Sequence, residues 1–292
     1  MAKIAYQKKK FGVESLQRIM VASNIIHEYA AKHYNLTLRQ LYYQFVARGF
    51  VENTERSYKN LGNLINDARL CGYLDWEAIE DRTRNVRSRQ HWTNPAEVIN
   101  AARHSYHIDM WANQVYRPEV WIEKDALLNA VERVCSRLDV PYMACRGYTS
   151  QSEEWRAGMR FARQIKNGQR PVVIYLGDHD PSGIDMTRDH RDRLKLLTGG
   201  SSVEVIRIAL NMDQINKFNP PPNPAKLTDS RAIDYIRKFG MTSWELDALS
   251  PDTIGAMVEK QIVGLRDELA WEEREEELED GRRKLEKALA GL

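Results

Sequence analysis

The 292-residue chain predicts an α/β protein. A helical amino-terminal unit precedes a mostly parallel sheet with helices on both faces, and a helical extension follows. Three observations predict this. From Glu119 onward, short runs rich in β-branched residues alternate with amphipathic stretches, a pattern that demands parallel strands and right-handed crossovers. The run Pro171-Val-Val-Ile-Tyr-Leu-Gly-Asp-His-Asp-Pro-Ser-Gly183 passes abruptly from apolar residues to two carboxylates, as a buried strand does at its carboxyl end. Upstream of residue 118 the periodicity is helical. The predicted boundaries are 1–117, 118–215 and 216–292.

The amino-terminal unit opens with an amphipathic stretch at 15–34. Thr37-Leu-Arg-Gln40 has the spacing of a capping box and starts a helix that ends at Gly49. A third helix is expected over 54–71. Leu61, Leu64, Ile65 and Ala68 share one face, and Gly72 is placed to end it. The opposite face carries Arg56, Lys59, Asn60, Asn63 and Asn66, groups that suit phosphates and base edges. Helix-turn-helix followed by an extended piece, 73–76 and then 79–92, is the plan of a winged-helix DNA binder. The extended piece contains Arg82, Arg84, Arg87 and Arg89, a natural strip of phosphate contacts.

In the central unit, strands are expected over 119–123, 141–145, 171–177 and 203–210. Helices are expected over 125–138, from a capping box at Ser150 and Glu153 to residue 166, and over 183–197. Glu123, Asp178 and Asp180 then fall at one edge of the sheet. Clustered carboxylates repel unless a cation lies among them, and Mg²⁺, or Mn²⁺, is the usual partner of such oxygen ligands. Lys124, beside Glu123, is a further expected phosphate contact. After 215 a proline-rich connector, Phe218-Asn-Pro-Pro-Pro-Asn-Pro224, leads to a charged helical tail.

Composition narrows the function. Net charge is +2, with a basic surplus of +6 over 1–117, balance over 118–215 and an acidic excess of 4 over 216–292. A basic unit beside an acidic one suits a protein that holds a polyanion with one part and works on it with another. Cys71, Cys135 and Cys145 show neither disulfide nor zinc spacing. No apolar run approaches the roughly 20 residues of a membrane span. A cytoplasmic, nucleoid-associated protein is therefore expected.

Arg39-Gln-Leu-Tyr-Tyr43 places Arg39 four residues before Tyr43, on one helix face. Together with Glu123-Lys124, Gly147-Tyr148 and the Asp-x-Asp-Pro-x-Gly element at 178–183, this order resembles the topoisomerase VI A subunit and its relative, the meiotic double-strand-break protein, over about residues 37–187. Glu123 with the Asp-x-Asp element also resembles the broader Toprim fold. The resemblance implies a winged helix followed by a Toprim domain. It implies that Tyr43 attacks a DNA phosphate to form a 5′-phosphotyrosyl ester, that Arg39 stabilises the phosphate, and that Glu123, Asp178 and Asp180 hold Mg²⁺. A homodimer making double-strand breaks in duplex DNA is also implied. No glycine-rich phosphate loop is present, so ATP-driven strand passage would need a separate ATPase subunit. Two alternatives stand beside this topoisomerase-like isomerase chemistry. One is a Toprim nuclease using metal-activated water, for instance in defence against phage or plasmids. The other is a non-catalytic DNA-binding subunit.

Overall fold

The computed structural model describes residues 3–79, 89, 91–201 and 203–290. Three helices, α1 (Val13–Ala31), α2 (Leu38–Ala47) and α3 (Glu55–Leu70), build the amino-terminal unit. Their shared core contains Ile19, Ile25, Leu41, Phe45, Leu61 and Ile65, the apolar stripes of each helix. The Thr37 box forms in full, with the threonine hydroxyl and the Gln40 carboxamide each accepting a backbone N–H from the other's residue. Gly72 follows the end of α3 at φ 75°, a conformation that costs other L-residues energy. The expected winged helix is met only in its helical part. Among the described residues no strand pair follows α3; Asp75 instead caps a single 3-10 turn over Trp76–Ala78, and Ile79 forms an isolated bridge to Leu36. Most of the segment expected as a wing, with Arg82, Arg84 and Arg87, lies outside the described residues.

Helix α4 (Pro95–Ser105) leads to the sheet. Its strands are β1 (Tyr116–Ile122), β2 (Tyr142–Ala144), β3 (Arg170–Leu176) and β4 (Glu204–Ala209), parallel throughout and ordered β2-β1-β3-β4. The helices between them are α5 (Leu128–Arg137), α6 (Gln151–Lys166) and α7 (Pro181–Leu197). Strand residues alternate between two apolar layers, as a period of two dictates. Val120, Ile122, Val172, Ile174 and Leu176 pack toward α5; Trp121, Val173 and Tyr175 pack toward Ala157 and Phe161 of α6 and Met186 and Leu194 of α7. Ser150 caps α6, but the Glu153 carboxylate turns to Arg156 instead of closing the expected box.

Beyond the sheet come α8 (Met212–Phe218), β5 (Asn223–Pro224), α9 (Ala232–Phe239), β6 (Thr242–Ser243), α10 (Pro251–Val263) and α11 (Glu268–Ala290). Strands β5 and β6 pair antiparallel. Residues 216–292 do not build a core of their own. Leu246, Leu249, Ile254, Val258, Ile262 and Trp271 are buried in the sheet's α5-side layer, and Ala248 enters the amino-terminal core. At about 1.5–3 kcal/mol for each fully buried large aliphatic side chain, this part stabilises the whole molecule. No described helix is long and apolar enough to cross a membrane.

Candidate active site

Strands β1 and β3 are adjacent and in register, so their carboxyl ends present Glu123 and Gly177-Asp178 side by side. Glu123 Oε2 accepts the Asp178 N–H at 2.7 Å. Gly177 permits this approach, because a side chain there would meet the Tyr175 hydroxyl at 2.5 Å and Glu123 Oε2 at 2.9 Å. Asp180 caps α7; its Oδ1 accepts the Gly183 N–H at 2.6 Å and the Ser182 hydroxyl at 2.9 Å. Glu123 and Asp178 are buried and Asp180 is half-buried. Burial pushes the Asp178 carboxyl up to about 7 despite Lys124, and burial also raises Glu123, with Asp180 adding to the shift. Such a pair resists full ionisation and gains from a cation. Glu123 Oε1 and Asp180 Oδ2 have no hydrogen bond among the described residues, so both retain acceptor capacity for an oxygen-seeking ion.

Lys124 does not point out of the molecule as a surface phosphate contact would. Its ammonium lies 2.8 Å from Asp178 Oδ2, 2.7 Å from Glu245 Oε2 and 2.6 Å from Asp247 Oδ1. Arg39, on α2, forms two further ion pairs with Glu245 and Asp247. Burial opposes the Arg39 charge, but Asp247 and Glu245 outweigh it and raise its pKa. The segment 244–247 thus joins the amino-terminal unit to the sheet edge. It is fixed by the backbone: His179 and Trp244 exchange N–H···O bonds of 2.9 and 3.0 Å, and the Leu246 N–H donates to Asp178 Oδ1 at 2.8 Å. The His179 ring sits among Tyr235, Phe239 and Trp244, its Nδ1 2.8 Å from the Tyr235 hydroxyl. It serves as packing and does not face the acids as a ligand.

A cleft of about 630 Å³ opens between α2 and this edge, its lining including Arg39, Tyr43, Asp180, Glu245, Asn53 and Lys226. Tyr42 and Tyr43 diverge as adjacent helical residues must. The Tyr42 hydroxyl is tied to Asn53 Oδ1 and the Thr54 carbonyl, each at 3.1 Å. The Tyr43 hydroxyl has no hydrogen bond among the described residues, and the Arg39 guanidinium lies 5.8 Å from its ring centre. Burial, then Glu245 and Asp247, raise the Tyr43 pKa above its ordinary value. Arg39, Tyr43 and Asp180 therefore meet in one cleft of a single chain. The predicted DNA-facing residues Arg56, Lys59, Asn63 and Arg89 are exposed, with Lys59 paired to Glu55 at 2.7 Å.

Sequence reasoning missed three features. Arg207, inside β4, is half-buried beneath the acid loop. Its guanidinium donates to the carbonyls of Gly177, Asp178 and Gly183 at 2.6–2.9 Å. Glu245 and Asp247 were not assigned to this site. The third feature is a second cluster on the sheet's other face. Among the described residues, only Glu154, Asp189 and His190 bring donor atoms within 4.8 Å of one another, and this buried group could hold a metal ion. The three predicted acids do not converge to that spacing. In the second cluster His190 Nδ1 lies 2.7 Å from Glu154 Oε1, while Arg193 Nη1 lies 3.2 Å from Asp189 and 3.6 Å from Glu154. No protein-family model matches the chain, and no curated protein matches it.

Proposed function

We propose that this chain is a Mg²⁺-dependent DNA-cleaving enzyme that works by tyrosine transesterification, in the manner of the topoisomerase VI A subunit. The observation that carries the reading is the shared cleft of Tyr43, Arg39 and Asp180. The Tyr43 hydroxyl has no competing partner among the described residues, a guanidinium stands beside it, and the carboxylates of Asp180 and Glu245 line the same cleft. In this reading the Tyr43 oxygen bonds to phosphorus as the bond to the 3′ oxygen breaks. The phenol proton passes to a cleft carboxylate, and the 3′ oxygen leaves protonated from solvent. Arg39 neutralises the charge that builds on the phosphate. Glu123, Asp178 and Asp180 would hold Mg²⁺, with Mn²⁺ as a substitute. When bound, the ion supplies Lewis-acid stabilisation of the same charge. Arg207 keeps the Asp178 loop in shape through its carbonyls. Duplex DNA would run over the exposed face of α3, and a homodimer would bring two clefts to the two strands.

One observation favours a second reading. The raised pKa of Tyr43 makes its phenolate scarce near neutrality. A Toprim nuclease that activates water at the acids would not need it. Incubating the protein with labelled supercoiled DNA and Mg²⁺, then denaturing, separates the two. DNA covalently attached to protein is expected; broken DNA with free ends would replace transesterification with hydrolysis.

A further inference from the structure

Arg39 on the cleft wall and Lys124 behind Glu245 are two cations that are already occupied, and their occupant at the cleft has the charge of a phosphodiester. Glu245 Oε2 accepts from both Lys124 Nζ, at 2.7 Å, and the Arg39 guanidinium. Asp247 binds the same two cations from behind. The two acids differ in position. The Asp247 side chain is fully buried, whereas Glu245 is 26% exposed and lines the cleft beside Tyr43. The backbone on either side of Glu245 is held by the His179–Trp244 bridge and the Leu246-to-Asp178 bond. The Glu245 side chain can therefore swing away without disturbing the segment that carries it. Asp247 would keep Lys124 and Arg39 in place while it does.

We propose that Lys124 and Arg39 form the subsite for the scissile DNA phosphate, and that Glu245 is its resident surrogate, displaced when a phosphodiester arrives. The inference rests on the DNA-cleaving reading of the same cleft. Glu245 is then a positioning residue. Without DNA it keeps two cations together that would otherwise repel; with DNA it gives up an anion site of the right charge. The exchange also removes from Tyr43 the neighbouring carboxylate that most strongly raises its pKa.

The test measures binding without chemistry, in EDTA, on the full chain. Inorganic phosphate and a short DNA duplex are titrated against wild type and Glu245→Gln, phosphate binding being followed by isothermal titration calorimetry and duplex binding by anisotropy of the labelled duplex. Glu245→Gln should bind both about tenfold more tightly, the scale of one charge-assisted contact no longer competed for. Its salt dependence for the duplex should steepen by about one counterion. For inorganic phosphate, Glu55→Gln, the same charge change on the cleft wall away from both cations, should change little; its duplex affinity is not the control, because Glu55 pairs with Lys59. Equal tightening of phosphate by Glu55→Gln would reduce the effect to general electrostatics and overturn the proposal, as would phosphate affinity in Glu245→Gln that is unchanged or weaker. If Glu245→Gln does not fold, Arg39→Gln decides: lost phosphate affinity supports the subsite, and unchanged affinity removes it. Tight phosphate binding with no duplex binding in either protein would uphold the anion subsite and reject DNA as its substrate.

Discussion

The sheet carries two acidic clusters, one at its carboxyl edge and one beneath its α6–α7 face, and they are built in opposite ways. The edge cluster is made of strand ends. Glu123 and Asp178 lie there because β1 and β3 are paired in register, and Asp180, just beyond them, lines a cleft with room for a ligand. The lower cluster is made of helix faces. Glu154 and His190 project from α6 and α7 into the apolar layer and are both fully buried, with Trp121 and Tyr175 edge-on to the imidazole. It meets metal-ligand spacing, yet Arg193 already supplies a positive charge there, and Glu154 and His190 are fully buried while only Asp189 is partly exposed. The edge cluster lacks that spacing, but it reaches a cleft through Asp180 and contains acids with spare acceptors. The difference teaches that convergence and accessibility are separate requirements. A closed, self-neutralised group is first a packing element; an open, underneutralised one is where chemistry is to be sought.

The largest expected effect would break this comparison outright. Asp178→Asn and Glu123→Gln should each lower DNA cleavage by about 10³-fold or more, because each removes charge that neutralises and orients the cation. Duplex affinity should be little changed. Asp180→Asn is the sharper form of the same test, since asparagine caps a helix about as well as aspartate, so lost cleavage there reports chemistry and not an unravelled α7. Glu154→Gln should leave cleavage within a few fold. Plasmid-nicking assays on the four variants decide the matter; cleavage that depends on Glu154 and ignores Asp178 would exchange the roles of the clusters.

Tyr43→Phe comes next. It keeps the ring and its packing while removing only the hydroxyl. Covalent DNA attachment should vanish with folding and duplex binding intact. Tyr42→Phe should retain cleavage and lose about 1 kcal/mol of stability, because its hydroxyl bonds tie α2 to the 52–54 loop. Persistent cleavage in Tyr43→Phe, with clean ends, would leave the edge cluster as the active site and transfer the chemistry to water. In the lower cluster the effect should be on stability instead. His190→Ala removes the hydrogen-bond partner of Glu154 Oε1, leaving it only the longer Arg193 ion pair, and opens a cavity against Trp121, so about 3 kcal/mol should be lost. Thermal or urea unfolding measures it.

The two clusters were not equally legible in the sequence. An apolar run that stops at Asp-x-Asp declares a strand end, and the spacing of the runs gives their parallel order. Thr37, Gly72 and the Leu61–Ala68 stripe likewise carry local signals, each of which the structure bears out. Glu245 and Asp247 reach the edge cluster from more than sixty residues beyond Asp178, through a bridge that no local pattern announces. Arg207 was hidden because an alternating strand admits a polar residue at any outward position. The lower cluster did leave a trace. Glu154 shares a helix face with Ala157 and Phe161, and His190 with Met186 and Leu194, so each is a polar residue in an apolar stripe. Pairing them required knowing that α6 and α7 are neighbours.

A pH effect of intermediate size sharpens the contrast at the edge. Burial alone would raise the Glu245 carboxyl, but Lys124 and Arg39 outweigh it and hold it at about 2. Its folded value lies below its unfolded one, near the usual 4.5. The stability it contributes is therefore complete above about pH 4.5 and is lost as pH falls toward 2. The stability difference between wild type and Glu245→Gln should be at most about 3 kcal/mol at neutral pH and should shrink across that window. A difference that is constant with pH would mean that Glu245 acts through packing and not charge.

The smallest effect tests whether the lower cluster is closed in solution. Cys145 Sγ lies 4.0 Å from His190 Nε2, and Glu154 lies on the imidazole's far side, an order that on an open surface would suggest a nucleophilic thiol. Burial argues otherwise. It pushes the Cys145 and Cys135 thiols up to about 12, so neither forms thiolate at neutral pH. Cys71, at the end of α3, is only half-buried. A disulfide reagent should therefore label Cys71 alone in the native protein, label all three cysteines in denaturant, and leave cleavage unchanged. Rapid native labelling of Cys145 would show that the lower cluster opens to solvent, and its His190 and Glu154 would then have to be weighed as reactive groups in their own right.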